Sequence, residues 1–302
     1  MTLSPIVDSI RKIVRGEVLE REPLAKHTSY RIGGPALALV YPMDVEDACA
    51  VIEASRRAGA RVIVLGHGTN VLFCDEGIDA IVMKTTRMRD IRVEGRRVWA
   101  QAGASLSRVL QIAMEHGLSG AEFMAGIPGT VGGAVAMNAG TSAGSMASVT
   151  RQVTVIESRN GLKVTHLAAE QAGFRYRGTR ILDEGMVVTD ASLELAQGDA
   201  AEIRRRTDEL LESRRRTQPL DLPSAGSVFK NPPGCAAGRL IEEAGLKGAC
   251  RGGAMVSPVH ANFIVNTGGA TASDVLALVE DVRSRVRERT GIELETEIKI
   301  VR

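Results

Sequence analysis

The chain has 302 residues with 38 basic and 36 acidic side chains, so its formal net charge at pH 7 is only +2. This balance argues against bulk nucleic-acid binding, and an aromatic content of 3% leaves little material for stacking on bases. The four cysteines form no CxxC pair and no metal-ligand spacing, so we predict reduced thiols and no metal site. No secretory h-region and no apolar run of membrane-spanning length occurs, which favours a cytoplasmic protein without a membrane partner. At this length the chain can hold two domains with real cores, and the pattern is that of a soluble protein of mixed helices and strands.

Apolar residues at spacings of three and four predict helices, alternating ones predict strands, and several predicted helices end at a glycine. In chain order we first predict a helix within 1–20, a strand at 37–41, a helix at 45–58 and strands at 61–65, 71–73 and 78–83. A hairpin of 91–93 with 98–100, a helix at 105–116, a hairpin of 152–157 with 163–165 turning at Asn160 and Gly161, and a strand at 186–195 follow. The rest of the chain is predicted to form helices at 200–216 and 236–244, strands at 254–256 and 262–266, a helix at 273–289 and a last strand at 292–301.

Residues 120–140 form the stretch that stands out most. Glycine recurs through it too often for a stable helix or an ordinary strand. Glycine also lets backbone N–H groups converge on an anion, and Pro128 favours a rigid loop over a flexible linker. A buried turn between two packed elements is the alternative reading. We favour a cradle for the diphosphate of a cofactor.

A second glycine turn, 66–70, follows a predicted strand–helix–strand unit, which is a usual place for a nucleotide phosphate. It lacks the third glycine and the opening helix of a GxGxxG fingerprint, so a Rossmann dehydrogenase is disfavoured.

Three further stretches carry polar groups that could serve a site. Residues 174–180 contain three arginines, which could form a carboxylate or phosphate clamp or a solvated loop. Ser227 lies in a glycine-containing turn, but no GxSxG elbow surrounds it, so a serine hydrolase is poorly supported. In the last predicted strand, Glu293, Glu295 and Glu297 share one face, and their spacing does not say which of them faces a cleft.

Taken together, seven stretches of the chain resemble the UDP-N-acetylenolpyruvoylglucosamine reductases, the MurB flavoenzymes of peptidoglycan synthesis. The matching residues, in the order of that family, are 27–30, 64–72, 126–133, 174–179, 224–232, 260–266 and 294–298. The resemblance implies an α+β fold in which a lead-in at 1–29 precedes a two-lobed FAD-binding region of the PCMH, or vanillyl-alcohol-oxidase, type at 30–196. A smaller α+β substrate-binding domain follows at 197–302, and its last strand could pack back on the first lobe.

The resemblance also implies a reaction and its site. NADPH reduces FAD, and the flavin then reduces the enolpyruvyl group of UDP-N-acetylglucosamine enolpyruvate, which gives UDP-N-acetylmuramate. Arg177 and Glu297 match the active-site arginine and glutamate, and Ser227 matches the serine that protonates the substrate carbanion. Tyr176, Lys230 and Asn231 match substrate contacts. The residues expected to hold the FAD diphosphate are Gly66, His67, Gly68, Thr69, Asn70, Gly126, Ile127, Pro128, Gly129, Thr130, Gly132 and Gly133.

Some positions depart from the family pattern without removing a chemical group. Thr69 and Thr179 stand where serine is usual, and His67 occupies a variable position. The short stretch between Arg177 and Ser227 is typical of the shorter, second type of the family. Two alternatives stay open, namely an alcohol or sugar oxidase on the same flavin fold and a non-catalytic flavin or nucleotide-sugar sensor. The oxidase gives no reason for residues 227–232 and Glu297 to occur together. The sensor would tolerate the loss of Arg177, Ser227 or Glu297, yet all three are present.

Overall fold

The computed structural model describes residues 5–159 and 161–302, and the chain divides into two compact units. The first unit comprises 1–20, 37–67 and 79–213, and the second comprises 21–36, 68–78 and 214–302. Each unit is thus assembled from separated pieces of the chain. The predicted domain limits of 1–29, 30–196 and 197–302 stay a prediction.

The first unit contains a four-stranded sheet covered by two helices. The strands run in the order Val18–Glu20, Ala36–Val40, Ile78–Lys84 and Arg61–Leu65. The last two are parallel, so Leu65 and Lys84 pair at the same edge of the sheet. The helices are Pro5–Ile13 and Val45–Arg57, and the carboxylate of Asp44 caps the second by accepting a hydrogen bond from the Asp47 N–H at 3.0 Å. Val7, Ile10, Val51, Ile52, Ile81 and Met83 are among the residues that form the core here.

The first unit also contains a five-stranded antiparallel sheet. Its strands run in the order Lys163–Ala168, Thr150–Glu157, Val187–Glu194, Arg97–Gln101 and Ile91–Glu94. The helices of this part are Leu106–Glu115, Val131–Ala136, Met146–Val149, Arg180–Asp183 and Ala200–Thr217, the last of which crosses into the second unit at Arg214. Short strand pairs join Leu118–Ser119 to Ala196–Gln197 and Gly140–Thr141 to Gly144–Ser145. A continuous apolar core lies between this sheet and the helices.

The second unit is built on a four-stranded antiparallel sheet. The strands run in the order Ser224–Ser227, Phe263–Asn266, Ala254–Val256 and Cys250–Arg251. Helices Ala237–Glu243 and Ala272–Thr290 share its core, and the last strand, Lys299–Val301, pairs in parallel with Val71–Phe73. The Tyr30 hydroxyl is buried in this core and donates to the Ile264 carbonyl at 2.9 Å.

The predicted helices at 45–58, 105–116, 200–216, 236–244 and 273–289 are confirmed to within one residue at each end. The first helix is confirmed over Pro5–Ile13, but its buried face is carried by Val7 and Ile10, and Ile13 is exposed where the helix ends. Residues 1–4 and Asn160, which belong to the predicted first helix and to a predicted turn, lie outside the described residues.

The predicted last strand is wrong over 292–298, because only Lys299–Val301 forms a strand. Residues 295–297 instead form isolated backbone hydrogen bonds with residues 228–230. One of them runs from the Lys230 N–H to the Glu295 carbonyl at 2.8 Å. A single bridge between Phe229 and Thr296 completes this contact. The alternation of apolar and polar residues therefore reflects the burial of Leu294 and Ile298 in the core, and not the hydrogen bonding of a strand.

The Asp75 carboxylate should stabilise the second unit. It accepts hydrogen bonds from the backbone N–H groups of Ala272 (2.7 Å) and Ser273 (2.9 Å) at the start of helix Ala272–Thr290. Asp75→Ala is expected to lower the free energy of unfolding by about 1–2 kcal/mol, measured by guanidinium titration followed by circular dichroism. The control is Asp79→Ala, which removes an exposed carboxylate from a strand and should change stability by less than about 0.5 kcal/mol. Equal losses in the two variants would contradict the capping role.

Candidate functional site

The glycine-rich loop of the first unit is pinned along the start of helix Leu106–Glu115. The Leu106 N–H donates to the Gly129 carbonyl at 3.1 Å, and the Val131 N–H donates to the Ala104 carbonyl at 2.8 Å. Ser105 and Thr130 form a bridge between these two contacts. The loop is therefore held by backbone bonds on one side, as the rigid cradle predicted from Pro128 requires.

The prediction that no helix forms within 120–140 is wrong, because Val131–Ala136 is helical. The reason is close packing of the backbone. The Gly132 N–H donates to the Ala102 carbonyl at 2.8 Å, and a Cβ on Gly132 would lie 2.8 Å from the Ala102 Cβ. Glycine is used here to bring a helix against a neighbouring chain segment, and the tertiary contact outweighs its low helix propensity.

The Thr130 hydroxyl gives a direct test of whether this loop suits an anionic cofactor. Thr130 is 2% exposed, and its Oγ1 has no hydrogen-bond partner among the described residues. A buried hydroxyl left without a partner costs about 1–3 kcal/mol, so such a group is suited to a bound ligand. A Cβ on Gly66 would lie 2.3 Å from this Oγ1, so only glycine leaves that space open. Gly126 and Gly133, nearby in sequence, are exposed and have no side chain to keep a ligand away from the backbone, and this set of groups fits a diphosphate.

Gly66 and His67 directly follow strand Arg61–Leu65. Lys84 is the last residue of the neighbouring parallel strand and lies opposite Leu65, at the same end of the sheet. Burial lowers the pKa of Lys84. Desolvation lowers the pKa of His67 too, and the charge of Lys84 lowers it further, so the imidazole is neutral at pH 7. Lys84 is a cation beside the first half of the glycine turn that the sequence did not single out. Only the pairing of two strands, which no local pattern reveals, puts it there.

The rest of the turn, 68–70, lies in the second unit. Gly68 has φ 67°, and a Cβ on it would lie 2.3 Å from the His27 carbonyl oxygen, so glycine is required. The Asn70 side chain donates to the Glu297 carbonyl at 3.3 Å, and the Asn70 carbonyl accepts from the Lys299 N–H at 3.0 Å. Asn70, predicted as a cofactor contact, thus also holds the backbone of Glu297.

The arginine-rich stretch forms a tight turn in the first unit. Arg175 and Gly178 exchange backbone hydrogen bonds, and Arg177 between them has φ 53°, a left-handed conformation that is costly for any residue other than glycine. The guanidinium of Arg177 donates to the Gly140 carbonyl at 3.0 Å and lies 5.4 Å from the centre of the Tyr176 ring. Tyr176 is 55% exposed.

Two buried side chains attach this turn to the end of helix Val131–Ala136. The Asn138 amide donates to the Arg175 carbonyl at 2.9 Å, and the Thr179 hydroxyl donates to the Ala136 carbonyl at 2.8 Å. The predicted residues Tyr176 and Arg177 are therefore fixed to the same segment that continues from the glycine-rich loop. Thr179, noted in the sequence as a departure from serine, keeps the hydroxyl that makes this bond.

Ser227 and Glu297, far apart in sequence, are brought together in the second unit. Ser227 ends a strand and pairs with Phe263. The Glu297 N–H donates to the carbonyl of Val228, the next residue after Ser227, at 2.7 Å. The predicted proton donor and the predicted acid are thus anchored to adjacent backbone groups.

The structure also separates the three glutamates that their spacing alone could not rank. Glu293 is exposed and pairs with Arg283 at 2.8 Å, and exposed Glu295 pairs with the ammonium of Lys230. Glu297 is half-buried. Of the three, Glu297 is the one whose backbone N–H bonds to the residue next to Ser227, and the other two are surface ion-pair partners.

Lys230 and Asn231 each contact a residue of the second unit. The Lys230 ammonium pairs with the Glu295 carboxylate, and the Lys230 backbone N–H donates to the Glu295 backbone carbonyl. The Asn231 side-chain oxygen accepts from the Ala237 N–H at 3.0 Å, at the start of helix Ala237–Glu243. A depression elsewhere, on the first unit, contains none of the predicted residues and is lined by Arg96, Arg97, Arg151, Glu194, Leu195 and Ala196.

Comparison with known proteins decides the family. The chain is 43% identical over 297 residues to the UDP-N-acetylenolpyruvoylglucosamine reductase of Caldanaerobacter subterraneus subsp. tengcongensis, and the match covers 98% of both chains. Residues 218–301 match the family of the C-terminal domain of these reductases. The chain belongs to the UDP-N-acetylenolpyruvoylglucosamine reductase (MurB) family. The predicted family and enzyme class are confirmed.

The comparisons also confirm the fold class and the flavin. Residues 36–165, which include both glycine-rich stretches, match an FAD binding domain family. The crystal structure of MurB from Thermus caldophilus superposes with a TM-score of 0.80 at 39% identity, covering 95% of this chain and 99% of that one. A solvent-stable cholesterol oxidase shares the fold alone, with a TM-score of 0.50 at 17% identity over 60% of this chain and 38% of its own. The fold is thus α+β with an FAD-binding region of the PCMH type, and FAD is the cofactor.

Two features are absent from the described residues, 5–159 and 161–302. Their helices include none with the length and hydropathy of a membrane span. No group of three or more His, Cys, Asp or Glu side chains in these ranges could hold a metal ion.

Gly133 allows a test of the cradle that separates cofactor binding from folding. A Cβ there would have the Thr130 Oγ1 as its nearest neighbour at 3.7 Å, an ordinary contact, and alanine favours a helix. Gly133→Ala is therefore expected to keep or raise the stability of the FAD-free protein, by up to about 1 kcal/mol. If the diphosphate approaches this backbone, the variant should bind FAD about 10-fold or more weakly, measured by quenching of FAD fluorescence. Unchanged FAD affinity in a stably folded variant would place the diphosphate elsewhere.

Proposed function

We propose that this chain reduces UDP-N-acetylglucosamine enolpyruvate to UDP-N-acetylmuramate for peptidoglycan synthesis, with NADPH as the reductant. Membership of the reductase family over nearly the whole chain supports the reaction. The observation that carries the catalytic assignment is the anchoring of Ser227 and Glu297 to adjacent backbone groups. When bound, FAD supplies the site with a hydride carrier, and residues 66–70 and 126–133 would hold it.

Arg177 neutralises the charge that builds up on the substrate. Hydride addition to the methylene carbon of the enolpyruvyl group leaves an electron pair on the carbon next to the carboxylate, as an enolate. A guanidinium presents parallel N–H donors that match a carboxylate, so Arg177 both binds the substrate and stabilises the enolate. Its left-handed backbone supports this role, because strain of about 1–3 kcal/mol is typically retained where function requires it.

Ser227 donates the proton that completes the reduction. A serine hydroxyl is a very weak acid, and it serves here because an enolate carbon is strongly basic and the hydroxyl is held in place. The proton moves from the Ser227 Oγ to the carbon, and the Ser227 oxygen then takes a proton from solvent water, which restores the hydroxyl. Glu297, beside it, acts as the acid that shares the developing charge.

Tyr176, Lys230 and Asn231 contact the UDP-sugar in this proposal. The exposed Tyr176 ring offers a flat apolar surface, and Lys230 offers an ammonium whose partner in the structure is Glu295. An anionic substrate would compete with Glu295 for this ammonium. The cytoplasmic location, and the absence of nucleic-acid and membrane partners, stay predictions.

An anaerobic spectral titration tests the function. NADPH should bleach the flavin band of the purified protein, and UDP-N-acetylglucosamine enolpyruvate should restore it. Restoration by oxygen alone would favour an oxidase on the same fold, and a flavin that is never bleached or restored by either reactant would favour a sensor.

Ser227→Ala should separate the two half-reactions. Removing the proton donor is expected to leave flavin reduction by NADPH unchanged and to slow reoxidation by the enolpyruvyl substrate about 100- to 10,000-fold, measured by stopped-flow absorbance. Ser224→Ala, at the other end of the same strand, is the matched control and should reoxidise at the normal rate. Normal turnover by Ser227→Ala would show that another group delivers the proton.

Arg177→Lys should show whether the fork geometry matters. The variant keeps the charge but loses the paired N–H donors, so we expect a higher KM for the sugar nucleotide and reoxidation slowed about 10- to 100-fold. Arg175→Lys is the control, because the Arg175 guanidinium bonds only exposed Asp183 among the contacts of the described side chains, and exposed ion pairs contribute little. Equal kinetics for Arg177→Lys and the unmodified protein would remove Arg177 from the enolate-stabilising role.

A further inference from the structure

The stretch 260–266 resembles the family, yet no residue in it has a role in the reaction proposed above. Asn262, 4% exposed, lies in this stretch and binds both backbone groups of one residue near Ser227. Its Oδ1 accepts from the Phe229 N–H at 3.0 Å, and its Nδ2 donates to the Phe229 carbonyl at 2.8 Å. Its own carbonyl accepts from the Val228 N–H at 2.8 Å. Asn262 therefore fixes the two residues that follow Ser227.

His260 fixes Asn262 in turn. The Asn262 N–H donates to the His260 Nδ1 at 3.2 Å, which requires the neutral ring with its proton on Nε2. The same ring packs edge-on against Phe263, the residue paired with Ser227, with 4.8 Å between ring centres. Gly238 makes room for it, since a Cβ there would lie 3.2 Å from the His260 Cε1.

The segment that carries Ser227 is thus held by two sets of bonds. Asn262 holds Val228 and Phe229, and the Glu297 N–H holds the Val228 carbonyl at 2.7 Å. If the Asn262 side-chain contacts are lost, Phe229 is released and backbone bonds such as that from Glu297 to Val228 are left to fix the segment, so the Ser227 hydroxyl is held less tightly relative to Glu297. Residues 126–133 and 176–177 of the first unit make none of these bonds.

We propose that Asn262 and His260 are positioning residues for Ser227, and that neutral His260 is required for the protonation step. This inference rests on the proposed function, in which Ser227 delivers the proton. Neither side chain takes part in the transfer. Each acts by holding the backbone from which the Ser227 hydroxyl is presented.

The charge state of His260 makes the inference testable by pH. Burial lowers the pKa of His260 below its usual value and outweighs a hydrogen bond to the backbone of His260 itself, which raises it, so the neutral form predominates in the folded protein at pH 7. Nearby charges are those of Lys247, which lowers this pKa further, and Glu242, which raises it. These two groups pair with each other at 2.7 Å, so they largely offset one another. As the pH falls through the pKa of His260, the ring gains a second N–H and can no longer accept from Asn262.

The experiment compares the two half-reactions of the FAD-loaded enzyme by stopped-flow absorbance from about pH 5 to 8, a range that brackets an ordinary histidine pKa. The variants are His260→Leu, which loses the acceptor, His260→Asn, whose side-chain oxygen can replace Nδ1 without titrating, and Asn262→Asp, which cannot donate to the Phe229 carbonyl. Gly238→Ala, which presses on the ring from the neighbouring helix, tests the same contact without changing either residue.

We expect His260→Leu and Asn262→Asp to slow reoxidation by the enolpyruvyl substrate about 10- to 100-fold and to leave reduction by NADPH within about 2-fold, as for a displaced but chemically intact donor. In the unmodified enzyme, reoxidation should fall at acid pH. Near pH 7, His260→Asn should reoxidise at close to the rate of the unmodified enzyme, unlike His260→Leu. At acid pH its rate should fall less than that of the unmodified enzyme, because asparagine does not titrate. Gly238→Ala should slow reoxidation by a smaller factor.

Normal reoxidation in His260→Leu and Asn262→Asp, or an equal loss in both half-reactions, would overturn the inference. The inference would also be overturned if the reoxidation rate of His260→Asn fell at acid pH as much as that of the unmodified enzyme. If His260→Leu does not fold, His260→Asn and Gly238→Ala decide the question. Failure of the unmodified enzyme to reoxidise with the substrate would instead contradict the proposed function, so the two failures are distinguishable.

Discussion

The hydrogen bond from the Glu297 N–H to the Val228 carbonyl is the contact on which the chemistry proposed for the second unit depends. It brings the last stretch of the chain against the strand that ends at Ser227. The bonds of Asn70 to Glu297 and Lys299 secure the same stretch from another part of the chain. A serine hydroxyl can protonate carbon only when it is held in position, so the backbone bonds that place it matter as much as the hydroxyl itself.

In the first unit the corresponding constraint is the close approach of backbone segments. Gly66 faces the Thr130 hydroxyl, and Gly132 faces Ala102, at separations that leave no room for a Cβ. These contacts hold a bare-backbone loop rigid and leave the Thr130 Oγ1 buried without a hydrogen-bond partner in the described structure. The cost of that hydroxyl, about 1–3 kcal/mol, is the kind that a bound diphosphate can recover. If the diphosphate binds where we propose, folding and cofactor binding depend on the same few atoms.

At Arg177, too, an unfavourable local conformation is retained where it positions a side chain. Its left-handed backbone costs about 1–2 kcal/mol, and the bonds made by Asn138 and Thr179 hold the turn that imposes it. Because these bonds run to the end of helix Val131–Ala136, the position of the guanidinium follows from the packing of the glycine-rich segment. A surface arginine without these supports would bring the same charge with less geometric control.

The sequence alone determined the family, the flavin, the fold class and most helix limits, because these depend on local patterns such as caps, glycine stops and motif order. It also singled out Arg177, Ser227 and Glu297 by resemblance. Spacing alone could not rank Glu293, Glu295 and Glu297, since alternation along a strand says nothing about which residue lies opposite. The sequence missed Lys84, His260 and Asn262 as contributors, and it missed the short helix within 120–140. Each of these depends on which distant segment packs against which, and only the tertiary structure decides that, because a hydrogen bond between residues far apart in the chain leaves no periodic trace in either segment.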